Sequence, residues 1–143
     1  EGRDKKRIQE LINKKNLNKK FTFLGSYPAE YMSEFFSCAD ALYISLKKAK
    51  IFSYTIPGKL QSYLACGKPI IGSLDGIGKK IIMESRSGLC SNAEDHLKLS
   101  ENIIKLSEMS DEERNILSKN AIKYFKSNFE KEKLIDELIE VFN

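Results

Sequence analysis

The sequence predicts an α/β fold in which a doubly wound, Rossmann-like parallel sheet is followed by extra helices. Short β-branched segments bounded by glycine alternate with amphipathic helical segments, and only helical patterns follow residue 93. Parallel strands need crossover connections, so the alternation predicts helices on both faces of a sheet. A chain of 143 residues has room for one domain. We therefore expect a single domain over 1–143, with an α/β core over 1–92 and C-terminal helices over 93–143.

The first segments predict a helix over 4–16, a strand over 21–24 and, after a turn, a helix over 29–38. The second helix is expected to bury Met32, Phe35 and Phe36. A strand normally precedes the first helix of such a unit, and Glu1-Gly2-Arg3 looks like the loop after one. We therefore expect a fragment of a longer, two-domain protein that lacks the first strand of its sheet.

The chain is organised around the stretch 55–72, which predicts a short helix leading into a central strand. Pro57 suits the first helical turn, while Gly67 ends the helix. The run 69–71 is typical of a buried parallel strand. Four apolar residues fall on one face of the helix and are expected to pack inward: Ile56, Leu60, Tyr63 and Leu64.

The segments on either side of this stretch complete the predicted alternation. A strand is expected over 40–46 and a loop over 47–54, which contains the run KKAK. After it we expect a turn over 74–78, a helix over 79–85 and a strand over 88–90. Three helices then follow, over 93–108, 111–126 and 130–142, and Ser110 with Glu113 matches a capping box.

Composition excludes several classes of protein. The chain is 41% hydrophobic and 31% charged with a net charge of +4, which is ordinary for a globular protein. No apolar run approaches the length of a membrane span, and the first residues do not match a secretory signal, so we expect a cytoplasmic chain. Lysines interleaved with acids are more typical of a solvated surface than of a nucleic-acid site. The three widely spaced cysteines suggest small buried thiols rather than disulfides or a zinc site.

The residues favour anion binding over acid–base chemistry. His96 is the only histidine and falls in a surface helix, so no Ser/His/Asp triad and no histidine-based metal site can form. Lys59 and Ser62 are neighbours near the positive end of the 55–66 helix, where a diphosphate could bind, although Lys59 could equally be an ordinary exposed lysine. Tyr27 and Tyr54 could stack on a base or simply cover the edge of the core. The run Gly76-Ile77-Gly78 is only a fragment of a phosphate-loop pattern.

Three segments together resemble a known family: FLGSYPAEYMSEFFSCADALYISL, TIPGKLQSYLACGKPIIGSLDGIG and ESRSGLC. They are similar to the C-terminal, nucleotide-sugar-binding half of GT-B glycosyltransferases. The resemblance is closest to the retaining bacterial group 1 branch, which builds capsule, O-antigen and other surface polysaccharides. It implies transfer of a sugar, of hexosyl type, from a nucleotide sugar, expected to be UDP-linked, to a polysaccharide or lipid-linked acceptor.

The resemblance also implies positions for the donor site. Gly25, Ser26 and Tyr27 match the loop against the nucleotide base. Three residues match the segment facing the donor sugar and diphosphate: Tyr54, Thr55 and Ile56. Lys59 follows in the first helical turns, and Ser62 stands where many members carry a glutamate that binds the ribose. Tyr54 replaces the family's other glutamate, so both acids are absent here.

The resemblance further implies that no metal or other cofactor is needed and that this chain supplies no catalytic residue. An N-terminal acceptor-binding domain would be the partner, the fragment alone would be inactive, and the enzyme would contact the inner membrane face peripherally, without nucleic acid. Two alternatives remain open: a sugar-nucleotide epimerase of similar fold, and a non-enzymatic basic α/β module that binds nucleic acid or a protein.

Overall fold

A computed structural model describes residue 2 and residues 4–142. Within these residues the chain forms two compact units, one ending at Met32 and the other starting at Ser33. The predicted fold class is confirmed, because the second unit contains a three-stranded parallel sheet with helices after each strand. The expectation of a single domain divided at residue 92 stays a prediction. The opening residues 1 and 3 lie outside the described part.

The first unit contains helix α1, Lys5–Lys14, and 3₁₀ turns at Asn18–Lys20 and Ala29–Tyr31. The predicted helix over 4–16 is confirmed, but the predicted strand over 21–24 is wrong. Residues 21–28 are exposed and belong to no regular element. An alternating pattern yields a strand only where a neighbouring strand pairs with it, and every strand in the described part belongs to the second unit.

The sheet has the order β1–β2–β3, formed by Leu42–Ser45, Ile70–Ser73 and Gly88–Ser91. The pairs are parallel, with Leu42 opposite Ile70 and Ile70 opposite Gly88. All three strands were predicted from their apolar runs. Every residue of β2 is buried, as expected of a strand covered on both faces.

One face of the sheet carries the main core with helix α4, Gly58–Cys66. Leu60 and Leu64 are fully buried and Tyr63 nearly so, which confirms the predicted inner face. The Tyr63 hydroxyl donates to the carbonyl of Tyr43 at 3.3 Å. Ile56 departs from the prediction, since it precedes the helix and is 40% exposed. Gly67 ends α4 in the left-handed conformation, at φ +67°, as its glycine predicted.

Helix α2, Met32–Ser37, covers part of this core. Its apolar residues Met32, Phe35 and Phe36 are only half-buried, whereas burial was expected. Phe36 packs edge-on against Tyr63 with ring centroids 5.1 Å apart. The helix is short, at fewer than two turns, so it contributes little to the core.

Two predicted boundaries around the sheet were wrong. The expected loop over 47–54 contains a short helix α3, Lys50–Ser53, closed by local bonds from Phe52 N to Ala49 O at 3.0 Å and Tyr54 N to Ile51 O at 3.4 Å. A single turn closed by its own backbone hydrogen bonds needs no apolar periodicity, so no apolar pattern in the sequence predicted this helix. Helix α5, Gly76–Ser85, begins three residues before the predicted start, and its glycines at 76 and 78 lie too close to their neighbours to carry a side chain.

The remaining helices match the prediction closely: α6, His96–Glu108; α7, Asp111–Asn128; and α8, Lys131–Phe142. The capping box at Ser110 and Glu113 is present, with each side chain bonded to the other's backbone N–H. Helix α7 packs on α4 through the fully buried Ala121. In the described part of the chain, no helix combines the length and the apolar character that crossing a membrane would require.

Candidate anion-binding site

The carboxyl ends of β1 and β2 are where α3, α4 and α5 converge. A Cβ on Gly76 would lie 2.1 Å from the carbonyl oxygen of Ser53, so the end of α3 packs directly on the first residue of α5. A Cβ on Gly78 would lie 3.4 Å from Cδ of Pro57, which places the start of α4 beside the start of α5. Two helix N-termini therefore lie side by side at the edge where parallel sheets bind ligands.

The start of α4 has hydrogen-bond donors that no described residue satisfies. Pro57 occupies the N-cap position at φ −63°, one residue before the helix, and provides no side-chain cap. Its carbonyl accepts from Leu60 N at 2.8 Å, but the N–H groups of Gly58 and Lys59 have no acceptor among the residues described. Lys59 is exposed in the same turn. Free N–H groups, the helix dipole and an ammonium group together favour an anion.

The other predicted residues of this segment lie next to that turn. Tyr54 follows the last residue of α3 and is 68% exposed. The Thr55 hydroxyl donates to the carbonyl of Phe52 at 3.3 Å, and the Ser62 hydroxyl donates to the carbonyl of Gly58 at 3.5 Å. Both hydroxyl oxygens keep acceptor capacity for a ligand. Five of the eight predicted site residues therefore belong to one continuous surface segment.

The other three predicted residues belong to the first unit. Gly25, Ser26 and Tyr27 lie in its exposed segment 21–28, outside any helix or strand. Tyr27 is 48% exposed. Their assignment to the base-binding loop stays a prediction.

Sequence reasoning missed the contacts that fix the loops at this edge. Asp75 Oδ1 accepts from Ala93 N at 3.2 Å, and Glu94 Oε1 accepts from Lys48 N at 3.2 Å. The Lys79 ammonium also donates to Asn92 Oδ1. These bonds tie the loops after all three strands together. No local pattern could reveal them, because each joins residues more than a dozen positions apart.

Positive charge is concentrated in the stretch of chain that contains this site. Residues 41–74 contain five lysines and no Asp or Glu: Lys47, Lys48, Lys50, Lys59 and Lys68. The chain has 24 basic and 20 acidic residues, so the other 109 residues carry 19 basic and 20 acidic ones, a net charge of −1. The whole excess of positive charge therefore lies in the stretch that contains α3 and α4, which raises the local concentration of anions.

Two groups near the sheet, Cys90 and Tyr63, have shifted pKa values. Burial raises the pKa of the Cys90 thiol, and the neighbouring Asp75 adds to this shift, while a hydrogen bond with the backbone of Leu74 and the charge of Lys79 oppose it. Burial also raises the pKa of Tyr63. The prediction of small buried thiols is wrong, since Cys38 is exposed and Cys66 and Cys90 are only half-buried. Among the described residues, no group of three or more His, Cys, Asp or Glu side chains is arranged so that it could hold a metal ion.

A parallel α/β sheet with open helix N-termini at its carboxyl edge defines the class of doubly wound, ligand-binding domains. Within that class, the chain belongs to the glycosyl transferases group 1 family, whose model matches residues 1–124. No curated protein matches the sequence. The family assignment confirms the glycosyltransferase part of the resemblance; the capsule and O-antigen branch stays a prediction.

Solved structures show the same fold. Sucrose-phosphate synthase from Thermosynechococcus elongatus matches 99% of this chain with a TM-score of 0.80 and 22% identity. An alpha,alpha-trehalose-phosphate synthase (UDP-forming) from Burkholderia vietnamiensis matches 87% with a TM-score of 0.60 and 16% identity. The matched regions cover 34% and 30% of those two chains, so this chain spans about a third of their length.

Proposed function

We propose that this chain is the donor-binding part of a glycosyltransferase that transfers a hexose from a UDP-linked sugar. The observation that carries the proposal is the open start of α4, where neither the N–H groups of Gly58 and Lys59 nor the exposed Lys59 ammonium has a partner among the described residues. Membership of the glycosyl transferases group 1 family supports it. The name of the trehalose-phosphate synthase, given as UDP-forming, favours UDP as the nucleotide.

The geometry suits the charge that develops in such a transfer. Breaking the bond between the sugar and the nucleoside diphosphate leaves negative charge on the departing phosphate. Oriented N–H donors and a nearby cation stabilise that charge without reorganising. In this proposal Lys59 and the first turn of α4 hold the diphosphate, and the exposed Tyr54 and Thr55 flank the sugar.

The remaining residues take the roles that the family resemblance gives them. Ser62 would bind the ribose through one hydroxyl, where a glutamate would accept two hydrogen bonds. Gly25, Ser26 and Tyr27 would contact the base. The acceptor, a surface polysaccharide or a lipid-linked sugar, would bind to an N-terminal domain, and the enzyme would work on the cytoplasmic side of the membrane.

Titration with UDP, UDP-glucose, GDP-mannose and a single-stranded oligonucleotide at two salt concentrations tests the proposal. We expect saturable binding of UDP and UDP-glucose, weakened at least tenfold in Lys59→Ala, since a hydrogen bond to a charged group is worth roughly 1.5–3 kcal/mol. Lys119→Ala is the matched control, because Lys119 is an exposed helical lysine outside the 41–74 stretch. It should leave the affinity unchanged.

The alternatives give different results. Oligonucleotide binding that disappears at high salt, without saturable UDP binding, would favour the basic binding module. Conversion of a UDP-sugar to its epimer would favour the epimerase. Equal affinity for UDP in the wild type and in Lys59→Ala would show that the start of α4 does not bind UDP.

A further inference from the structure

A cleft of about 280 Å³ lies where the end of α5 meets one side of α7, here called the α5–α7 cleft. Arg86, which lines it, comes two residues before β3, so the cleft is at the amino end of that strand. The candidate anion-binding site is at the opposite, carboxyl edge of the sheet, and none of the predicted donor-site residues lines the cleft. The lining side chains share the capacity to form hydrogen bonds, and they include Glu84, Arg86, Asn120, Lys123, Tyr124 and Asn128.

The walls of the α5–α7 cleft are held in place by bonds within the protein. Asn120 Nδ2 donates to the carbonyl of Arg86 at 3.1 Å, which joins α7 to the end of α5. Ser85 is buried, and its hydroxyl lies 3.1 Å from the Ile82 carbonyl and 2.7 Å from Ser87 Oγ. The lining residues of α7 recur at helical spacing, so they share one side of that helix. The cleft is therefore formed before any ligand arrives.

Several polar groups in the α5–α7 cleft have no partner. The Arg86 guanidinium and the Lys123 ammonium form no ion pair or hydrogen bond with any described residue, and the Tyr124 hydroxyl forms no hydrogen bond with one. The Glu84 carboxylate contacts only the exposed Lys80, at 3.6 Å, which leaves it most of its acceptor capacity. The cleft therefore offers both donors and acceptors to a ligand.

The charges around the α5–α7 cleft nearly cancel. Arg86 and Lys123 are basic and Glu84 is acidic, which gives the lining a net charge of +1. The last residues of two helices, Ser85 of α5 and Asn128 of α7, also line the cleft. The C-terminal end of a helix acts as about −0.5 of a charge, so the two ends together offset the positive excess. An anion or a cation gains little from such a cleft, whereas hydroxyl groups, which both donate and accept, match its side chains.

We propose that the α5–α7 cleft binds a sugar unit of a neutral oligosaccharide. The sugar hydroxyls accept from Arg86 and Lys123 and donate to Glu84, and the ring of Tyr124 provides apolar surface for the C–H groups of the sugar. The volume is near the lower end of the range of about 300–1,000 Å³ for small-molecule sites, which suits a ligand the size of one sugar ring. The proposal goes beyond the donor site, because binding here holds a carbohydrate chain to the protein at a separate place.

Nuclear magnetic resonance of the isotope-labelled full chain tests this directly. The probes are inorganic phosphate and a panel of neutral oligosaccharides built from glucose, galactose, mannose or N-acetylglucosamine. Each is added to about 10 mM, where a ligand with a millimolar Kd approaches saturation. We expect at least one oligosaccharide to shift the amide resonances of residues 84–86 and 120–128 saturably. Added salt should leave its affinity unchanged because no charge is neutralised, and saturating UDP should leave it unchanged because UDP binds elsewhere.

Two single variants separate a sugar from an anion as the ligand. Glu84→Ala and Lys123→Ala should each weaken oligosaccharide binding by about three- to tenfold, as expected for the loss of a hydrogen bond. For an anionic ligand, Glu84→Ala would instead strengthen binding, because it removes a negative charge from the cleft. The matched controls are Glu108→Ala and Lys105→Ala, which remove the same charges from exposed positions on α6. Both should bind like the wild type.

Four results would each overturn the proposal. They are no saturable shift with any oligosaccharide of the panel, binding of phosphate alone, unchanged or stronger binding in Glu84→Ala, and shifts confined to the start of α4. Loss of oligosaccharide binding in the presence of UDP would also contradict it, because the sugar would then occupy the donor site. If UDP fails to bind while an oligosaccharide shifts the α5–α7 cleft as expected, the donor assignment is wrong and this proposal stands.

Discussion

Replacing Gly76 by alanine should destabilise the second unit strongly, because this glycine is where α3 meets α5. An added Cβ would lie 2.1 Å from the carbonyl oxygen of Ser53 and 2.4 Å from its Cα. Both neighbours are backbone atoms, so the overlap cannot be relieved by a side-chain rotation. Gly76 also has φ +68°, a conformation that costs an L-residue roughly 1–2 kcal/mol.

The two effects together set the expected magnitude. Overpacking of this kind costs about 1–3 kcal/mol, so with the backbone strain the free energy of unfolding should fall by roughly 2–5 kcal/mol. For a chain of this size, the melting temperature should fall by about 4–20 °C. Urea unfolding followed by circular dichroism measures the change.

Gly58→Ala is the matched control for the same substitution. Gly58 is the first residue of α4, and a Cβ there would meet no atom within 4 Å. Alanine favours a helix over glycine, so this variant should be unchanged or more stable by up to about 1 kcal/mol. If Gly76→Ala lost less than about 0.5 kcal/mol, or no more than Gly58→Ala, the close approach of α3 to α5 would be wrong, and with it the position of α3 beside the start of α4.

Three further predictions test other parts of the fold. Ser110→Ala should lower the free energy of unfolding in urea by about 1 kcal/mol at pH 7. Hydrogen bonds from Ser110 lower the pKa of Glu113, so their stabilisation is present above the ordinary pKa of Glu113 and is lost as pH falls through the lowered pKa. The difference in stability between the variant and the wild type should therefore shrink at pH 3. Under native conditions at pH 8, iodoacetamide should modify the exposed Cys38 before Cys90, whose pKa burial raises, and mass spectrometry of the peptides would expose a reversed order. Asn102→Leu should leave stability unchanged or raise it by about 1 kcal/mol, because the buried Nδ2 of Asn102 has no partner in the described part of the chain; a loss above about 1 kcal/mol would show that the amide is satisfied.

The sequence could predict elements whose cause is local. Strand β2 and the body of helix α4 follow from an apolar run, a helix-ending glycine and a spacing of apolar residues, although α4 begins only at Gly58, after the Ile56 and Pro57 that the pattern placed in it. The segment 21–24 has an equally good strand pattern, yet it is exposed and unpaired with any described strand. Strand formation depends on a partner elsewhere in the chain, so alternation alone cannot establish it.

The contacts that position the site could not be predicted for the same reason. Two long-range contacts fix the loop after β1. The backbone of Ser53 lies against Gly76, and Lys48 N donates to Glu94 Oε1. In the sequence, Gly76 and Gly78 looked like a fragment of a phosphate-loop pattern. In the structure, both glycines let α5 pack closely against its neighbours, which is a second reason for glycine at these positions.

The proposed binding role of α4 and its folding role lie on two sides of one helix, and this makes the proposed site testable by mutation. Leu60 and Leu64 are fully buried in the core, whereas Lys59 and Ser62, three residues apart, are exposed on another side. Truncating a buried leucine costs about 2–5 kcal/mol, while truncating an exposed lysine usually changes stability by less than about 0.5 kcal/mol. A loss of nucleotide binding in Lys59→Ala with unchanged unfolding therefore reports on the anion site itself, because the core beneath it is held by residues that this substitution does not touch.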